Sequence, residues 1–258
     1  MSTLPLERFG SVGLDELVSE AELLTRVDRK YVLRLDETLG LLDHLDPRTR
    51  VLTIDGRRRF HYESVYFDTP DLVSYRQAAT GRRRRFKVRT RSYLDSRQAF
   101  LEVKARGPRE VTVKERIGYD MAARDHLTQT GRDYTARTLS GQGLDAGLAD
   151  ELAPALTTRY TRATLLPPET GVRVTIDTDL AWSDGERELG IPDLVIVETK
   201  AGSRPSGIDR LLWRLGHRPD SVSKYGTCLA ALRDDLPSNK WARILRHHFT
   251  TEETARAA

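Results

Sequence analysis

The chain has very little cysteine and no long apolar run. Its 258 residues include one cysteine, Cys228, so a disulfide framework within the chain and a cysteine-rich zinc site are both excluded. No stretch reaches the roughly 18 apolar residues that a membrane span needs. The first residues, MSTLPLERFG, lack a basic segment followed by an apolar one. We therefore expect a soluble, cytoplasmic protein with no membrane span.

The net positive charge is also small, because the chain has 42 Lys and Arg residues and 38 Asp and Glu residues. The clustering of the cations is more informative. In the segment RRRRFKVRTR, from Arg82 to Arg91, side chains of an extended strand would alternate between two faces. A solvated edge strand could carry one such run. The cationic face would hold Arg85, Lys87, Arg89 and Arg91, and the other face Phe86, Val88 and Thr90.

The same alternation returns in several later segments, and Lys and Arg dominate their polar positions. A sheet with one face in water would also alternate, but its polar face should be richer in Thr, Ser and mixed charges. A closed antiparallel barrel with a polar lumen gives this pattern too, and its interior cations would need an anion. The in-phase polar positions are Glu102 and Lys104, Lys114 and Arg116, Tyr160 and Arg162, Arg173 and Asp177, and Glu198 and Lys200.

The chain is long enough for one large domain, and nothing in it demands two. Helices are predicted near Leu14, at ETLGLLDHL, after Leu72, at GIDRLLWRLG and from SKYG onward. Between Met121 and Pro154, two further helices with polar faces are assigned to the outside of the sheet. We expect a single domain over residues 1–258 with a flexible tail from about residue 247.

In chain order, the strands and turns read RKYVL, YFDT, RFKVRTR, FLEVK, VTVKER, RYTR, VRVTIDT, VIVETK and SKYG. This ordered set, from about Arg26 to Leu232, resembles the VTC domain, the polyphosphate polymerase branch of the triphosphate tunnel metalloenzymes. The resemblance implies an α+β fold, in which a closed antiparallel β-barrel of about eight strands forms a polar tunnel and helices pack outside.

The resemblance also implies roles for residues. The family's metal-binding glutamate matches Glu198, while Glu102 is either a second metal ligand or an internal salt-bridge partner. Asp177 is either an ion-pair partner orienting Arg173 or a metal-associated carboxylate. Catalytic cations are expected at Lys30, Arg89, Arg91, Lys104, Arg162 and Arg173. Substrate-binding residues are expected at Lys87, Lys114, Arg116, Tyr160, Lys200, Ser223 and Lys224.

Two departures from related patterns matter. The EXEXK motif of CYTH members is absent before Lys30, which argues against a cyclase or a CYTH triphosphatase. The additional lysine of eukaryotic polymerases is missing at Asp220-Ser221-Val222, which puts the binding of one end of the phosphate chain in doubt. Because membrane and regulatory domains are not part of this sequence, we expect translocation across a membrane to need a separate partner.

The resemblance implies an enzyme that transfers the γ-phosphate of ATP to polyphosphate with Mn²⁺ or Mg²⁺ as cofactor. Two alternatives stay open: a hydrolase of triphosphate or nucleoside triphosphates, and a module that binds polyphosphate or another polyanion without turnover. A nucleic-acid partner is not expected, because the strands lack an aromatic stacking platform. The turn at Arg82–Arg84 is either solvated or a funnel for a polyanion, and Asp68 is interpreted as a turn-former.

Overall fold

The computed structural model of the chain describes residues 4–20, 27–107 and 112–249. The strands are β1 (Gly10–Val12), β2 (Val27–Arg34), β3 (Arg50–Leu52), β4 (Phe60–Asp68), β5 (Arg85–Tyr93), β6 (Gln98–Arg106), β7 (Thr112–Tyr119), β8 (Ala153–Leu166), β9 (Arg173–Ser183), β10 (Glu188–Ile191) and β11 (Leu194–Ala201). The α-helices are α1 (Leu14–Glu20), α2 (Leu35–Asp43), α3 (Val73–Ala79), α4 (Gln129–Gly141), α5 (Leu148–Glu151), α6 (Gly207–Arg214), α7 (Gly226–Leu232) and α8 (Ala242–His248).

The chain forms two compact units, each built from three separated segments. Unit 1 comprises Met1–Phe60, Tyr160–Leu180 and Ile191–Val222, and unit 2 comprises His61–Arg159, Ala181–Gly190 and Ser223–Ala258. The strands β8 and β9 therefore each contribute residues to both units.

In unit 1, the strand order is β2-β11-β9-β8, and β11 is antiparallel to both β2 and β9. The short strand β3 pairs with β8, and β1 runs parallel to β3. The strands β2, β9 and β11 bury one apolar face with α2 and α6, because their alternate positions are apolar. This core includes Tyr31, Leu33, Leu42, Ile176, Val195, Val197 and Leu212.

In unit 2, the strand order is β4-β5-β6-β7, and these neighbours pair antiparallel. Burial along β5 alternates as the sequence predicts, with Phe86, Val88 and Thr90 buried between half-buried cations. The buried face packs against α4 through Leu139, and α5 and its flanks supply further apolar contacts. The core includes Val65, Phe67, Phe86, Val88, Leu101, Val103 and Leu139.

The predicted closed barrel is not confirmed. Over the described ranges, β2 pairs with β11 alone and β7 pairs with β6 alone, so hydrogen bonds do not close the strands into a ring. The fold is mixed α and β with an extensive antiparallel sheet. Alternation in a sequence distinguishes the two faces of a strand, but it does not specify whether the outermost strands find partners.

The predicted helices are present, with shifted boundaries, and some elements were missed. The strand β10, which begins within WSDGERELG and pairs with β9, was not predicted from the sequence. The three-residue strands β1 and β3 were also missed. The helix α8 extends through His248, and residues 250–258 of the predicted tail lie outside the described residues. Across the described chain, no helix is long and apolar enough to cross a membrane.

Candidate functional site

Three strands of unit 2 bring cations into register on one face. On β5 and β6, Lys87 lies opposite Lys104, and Arg89 lies opposite Glu102. On β7, Lys114 lies opposite Lys104, and Arg116 lies opposite Glu102. We call Lys87, Lys104 and Lys114 the lysine row, and Arg89, Glu102 and Arg116 the glutamate row. A third pairing, Arg85 opposite Arg106, is called the arginine row. This alternation is the property that the sequence predicted.

Glu102 is the carboxylate within these rows, and it is almost fully buried. Both Nε and Nη2 of Arg89 donate to its Oε2, at 2.9 and 2.7 Å. Arg91 Nη2 lies 3.5 Å from Oε2, and Lys114 Nζ lies 3.4 Å from Oε1. Burial alone would raise the pKa of Glu102, but the charges of Arg89 and Lys114 outweigh it and lower that pKa. The contacts therefore favour the ion-pair interpretation of Glu102.

Lys87 is held by a hydroxyl and two aromatic rings. Its Nζ donates to Ser223 Oγ at 3.0 Å and lies 5.8 and 5.6 Å from the ring centroids of Tyr66 and Tyr225. The two rings stack on each other, with centroids 5.1 Å apart. Ser223 Oγ also accepts from the backbone N–H of Gly226 at the start of α7. These contacts fix the ammonium group of Lys87 beside Ser223 and Tyr225 of the SKYG motif.

The sequence did not single out Tyr66 and Tyr225, although both lie in recognised motifs. Tyr66 accepts a hydrogen bond from Arg89 Nη1 at 2.9 Å, and Tyr225 donates to the buried carboxylate of Asp68. Asp68 also accepts from the backbone N–H groups of Ser74 and Tyr75 in α3. Asp68 thus caps a helix, in agreement with its interpretation as a turn-former. The aromatic residues of YFDT and SKYG were the available signal.

The remaining cations of unit 2 differ in exposure. Lys104, Lys114 and Arg116 are exposed, while Lys224 is half-buried. Arg116 lies over the ring of Phe100, at 4.8 Å from its centroid. Partial desolvation of its ammonium group, the largest influence, lowers the pKa of Lys114, although the nearby charge of Glu102 opposes the shift. Lys104, Lys114 and Arg116 belong to the same registered face as the ion pair of Arg89 and Glu102.

A second cationic cluster lies in unit 1, where β8 and β9 carry a buried ion pair. Arg162 Nε donates to Asp177 Oδ1 at 2.6 Å, and Nη2 donates to Oδ2 at 2.8 Å. The guanidinium also lies 5.2 Å from the ring centroid of the buried Tyr160. Asp177, left open in the sequence between pairing Arg173 and binding a metal, is therefore a two-point partner of Arg162. A bidentate pair of hydrogen bonds to one carboxylate fixes the orientation of the guanidinium group.

Glu198 lies between cations on neighbouring strands. It pairs in register with Lys30 on β2 and with Thr175 on β9, and Lys200 pairs with Arg173. Its Oε1 accepts a hydrogen bond from Lys200 Nζ. Burial alone would raise the pKa of Glu198, but the charges of Lys200, Lys30 and Arg162 hold it well below the usual range. Glu198 is therefore an ionised, half-buried carboxylate at neutral pH.

The carboxylates of these clusters could bind a divalent cation together with oxygen atoms of a substrate. Over the described residues, no group of three or more His, Cys, Asp or Glu side chains could enclose a metal ion. Mg²⁺ and its analogues are commonly held by one or two carboxylates together with substrate phosphates. The ionised carboxylate of Glu198 suits that arrangement, whereas both oxygens of Glu102 already face cations. Glu198 could thus hold such an ion together with substrate phosphates.

Asp209 on α6 supports the two strands that carry Glu198 and Lys30, and sequence reasoning missed it. It is fully buried, and its Oδ1 accepts from Thr199 Oγ1 at 2.6 Å and from Tyr31 Oη at 2.7 Å. Those two donors are the chain neighbours of Glu198 and Lys30. Asp209 also completes a capping box with Ser206. The pattern Ser206-Gly-Ile-Asp209 was the available signal.

Two solved structures resemble the chain at low similarity. A candidate adenylate cyclase from Bacillus halodurans is 12% identical, with 77% of this chain and 94% of that chain covered and a TM-score of 0.46. A candidate adenylyl cyclase from Hippeastrum, which has a dominant triphosphatase activity, is 16% identical, with 79% and 94% covered and a TM-score of 0.48. At these values the likeness carries no conclusion about the activity of this chain.

No curated protein gives a significant match to the chain. The family model of the VTC domain matches residues 25–233, the range that holds the ordered motifs. The matched range contains every predicted site residue from Lys30 to Lys224. The chain therefore belongs to the VTC domain family.

Proposed function

We propose that this protein is a polyphosphate polymerase, which transfers the γ-phosphoryl group of ATP to the end of a polyphosphate chain. The observation that carries the proposal is the charge of the registered face in unit 2. Among the described residues of this face on β5, β6 and β7, Glu102 is the one carboxylate beside a larger number of cations, and a polyanion would compensate the excess. Those cations are Arg85, Lys87, Arg89, Arg91, Lys104, Arg106, Lys114 and Arg116.

The geometry of the arginines suits phosphate. Arg89 and Arg162 are each fixed by two hydrogen bonds to a buried carboxylate, Glu102 and Asp177 respectively. A fixed guanidinium binds phosphate oxygens without losing much conformational entropy. Lys30 and Lys87 add point charges. Within each unit, such residues would position phosphoryl groups and stabilise their charge, which is most of what phosphoryl transfer requires from a protein.

The proposed step is an in-line displacement. A terminal oxygen of the polyphosphate chain forms a bond to the γ-phosphorus of ATP, and the bond from that phosphorus to the β–γ bridging oxygen breaks. ADP leaves with the electron pair of the broken bond. No covalent intermediate on the protein is required. A divalent cation held by Glu198, Mn²⁺ or Mg²⁺, would neutralise charge on the phosphate oxygens.

The test is an incubation of the purified protein with γ-labelled ATP and Mn²⁺ or Mg²⁺, with the products resolved by gel electrophoresis. Label in long chains that an exopolyphosphatase degrades, together with release of ADP, would support the proposal. Label only in free phosphate would assign a hydrolase instead. Intact ATP that is nevertheless bound would assign a binding module.

The variant Glu198→Gln completes this test, and Glu188→Gln is its matched control. Glu188 is an exposed glutamate on β10, a strand that carries none of the predicted site residues, so its substitution makes the same chemical change elsewhere in the chain. If Glu198→Gln left both turnover and metal dependence intact, the proposed role of Glu198 would be wrong.

A further inference from the structure

Thr175 on β9 carries a buried hydroxyl that no group in the described part of the chain satisfies. The residue is 3% exposed, and its Oγ1 has no hydrogen-bond partner there. Two other buried threonines of unit 1 do have partners. Thr38 Oγ1 donates to the carbonyl oxygen of Arg34, and Thr199 Oγ1 donates to Asp209. A buried hydroxyl without a partner destabilises the folded state unless an ion, a water or a ligand satisfies it.

The hydroxyl of Thr175 lies on the charged face of β9. The chain neighbours Val174 and Ile176 belong to the apolar core of unit 1. Because successive side chains of a strand point to opposite faces, Thr175 points away from that core. On β11, Glu198 lies directly opposite Thr175. Opposed residues on antiparallel strands have Cβ atoms about 5 Å apart, so the hydroxyl and the carboxylate face the same space.

The two oxygens of the Glu198 carboxylate differ in their contacts. Lys200 Nζ donates to Oε1. Over the described ranges, this is the hydrogen bond that Glu198 accepts, so Oε2 is the oxygen that a divalent cation could bind. The neighbouring cations keep the carboxylate ionised in spite of its burial. A charged oxygen and a buried hydroxyl without a partner therefore lie side by side on one face of the sheet.

Glutamate and threonine place their oxygens at different depths above a sheet. The carboxylate oxygens of Glu198 are at the end of a longer side chain, whereas the hydroxyl oxygen of Thr175 is bonded directly to Cβ. A cation bound at Oε2 would therefore lie farther from the strands than Thr175 Oγ1. Small divalent cations keep several of their waters when one or two carboxylates hold them. One such water would fit between the cation and the hydroxyl.

We propose that Thr175 is a positioning residue of a divalent-cation site, in which Glu198 binds the ion and the Thr175 hydroxyl accepts a hydrogen bond from one of the ion's waters. This inference rests on the metal-binding role of Glu198 in the proposed function, and it deepens that role by adding a neutral group from a neighbouring strand. The hydroxyl is then satisfied in the cation-bound protein, whereas it lowers the stability of the cation-free protein.

The experiment measures Mn²⁺ binding to the full chain by electron paramagnetic resonance, in which the signal of the hydrated ion decreases as the protein binds it. No nucleotide is added, so that waters take the place of phosphate oxygens around the ion and the result is independent of turnover. The variant Thr175→Val replaces the hydroxyl by a methyl group of similar size, and Thr175→Ser retains the hydroxyl.

Thr49→Val is the matched control. Thr49 lies in unit 1 between α2 and β3, and it is also a fully buried threonine whose Oγ1 has no partner among the described residues. The control therefore makes the same chemical change to the same kind of hydroxyl at a position outside the strands that carry Glu198 and Thr175.

We expect Thr175→Val to weaken Mn²⁺ binding about 10-fold, which is a common loss when a group that supports a metal site is removed. Thr175→Ser should bind nearly as tightly as the wild type, and Thr49→Val should bind equally tightly. Unchanged affinity in Thr175→Val would overturn the proposal and leave an ordered water alone as the partner of the hydroxyl. A weak site in Thr175→Ser would also overturn it, because the methyl group would then be the part that matters.

Thermal unfolding supplies a second readout. Without Mn²⁺, both valine variants should unfold at the wild-type temperature or above it, because each loses a buried hydroxyl without a partner. With Mn²⁺, the rise in unfolding temperature should be smaller for Thr175→Val alone, since bound ligand stabilises the folded state in proportion to its affinity. A cation-free Thr175→Val protein that is clearly less stable than Thr49→Val would assign the hydroxyl a structural role and contradict the proposal.

This proposal and the proposed function can fail separately. If Thr175→Val weakens Mn²⁺ binding but the wild-type protein forms no polyphosphate from ATP, the polymerase function fails and the cation site remains. If the wild type forms polyphosphate and Glu198→Gln loses Mn²⁺ binding while Thr175→Val retains it, the function stands and the role of Thr175 is wrong. If the wild-type protein binds no Mn²⁺, the cation site is wrong, whatever the result with ATP.

Discussion

Glu198 on β11 and Lys30 on β2 lie directly opposite each other in an antiparallel pair, with Lys200 hydrogen-bonded to the same carboxylate. Two ammonium groups beside one carboxylate keep that carboxylate ionised in spite of its burial. An ionised carboxylate among these cations is the basis of the proposed metal-binding role of Glu198, and it leads to the first prediction.

Glu198→Gln should reduce metal-dependent turnover about 100-fold and raise the Mn²⁺ concentration at half-maximal rate. The amide oxygen is neutral and binds a divalent cation more weakly, while the size of the side chain is nearly unchanged. Initial rates across a Mn²⁺ titration measure both effects. The exposed variant Glu188→Gln should behave as the wild type; a loss of equal size in both variants would contradict a specific role for Glu198.

The pair of Arg162 and Asp177 should make a large contribution to stability. Asp177→Ala leaves a guanidinium with little exposure and without its two-point partner, so the free energy of unfolding should fall by about 3 kcal/mol. The exposed pair of Arg8 and Asp43 supplies the control, since Asp43→Ala should cost less than about 1 kcal/mol. Urea denaturation measures both. Equal costs for the two variants would refute the claim that burial strengthens the dependence on the partner.

The stability of unit 2 should depend on pH through Glu102. Its folded-state pKa lies below the ordinary value of 4.5, so its ionised form stabilises the fold above that pH. The contribution is lost as the pH falls through the folded-state pKa. The difference in free energy of unfolding between the wild type and Glu102→Gln should thus be constant from neutral pH to about pH 5 and shrink below it. A difference that grows on acidification would show that the sign is wrong.

The two hydroxyls that donate to Asp209 Oδ1 should be coupled. Tyr31→Phe and Thr199→Val should each lower the free energy of unfolding by about 1–2 kcal/mol, because each removes a buried hydrogen bond to a carboxylate. Together they leave that oxygen without either hydroxyl, so the double variant should lose more than the sum. A double-mutant cycle by chemical denaturation measures the excess. Simple additivity would indicate that the oxygen finds a replacement donor.

The sequence was most informative where one residue in two is apolar. Along β5, the alternation predicted both the buried side chains, such as Phe86, and the half-buried Arg89 and Arg91. The motif order was equally informative, because the match of the VTC domain to residues 25–233 confirms the family that the ordered motifs indicated. Local patterning and motif order were therefore sufficient for strands, faces and family.

Other features depend on distant partners, and local patterning could not predict them. The sequence could not decide which cation Asp177 would pair with, because Arg162 lies on another strand, 15 positions earlier in the chain. Nor could it link Tyr225 to Asp68, which are 157 positions apart. The predicted closure of the barrel is not confirmed, and local patterning could not decide it, because the pairing of the outer strands is a property of the whole sheet. Asp209 was missed because a buried aspartate near a helix start resembles an ordinary cap.

The lysine row has a consequence for how this protein behaves without ligand. Most surface ion pairs weaken as salt is added, but salt screens repulsion as well as attraction. With Lys87, Lys104 and Lys114 opposite one another, moderate salt or a polyvalent anion should make unit 2 more resistant to unfolding. A polyvalent anion that binds the folded protein at this row would then act as a stabilising ligand, and the folded fraction of the protein would rise with the anion content of its surroundings.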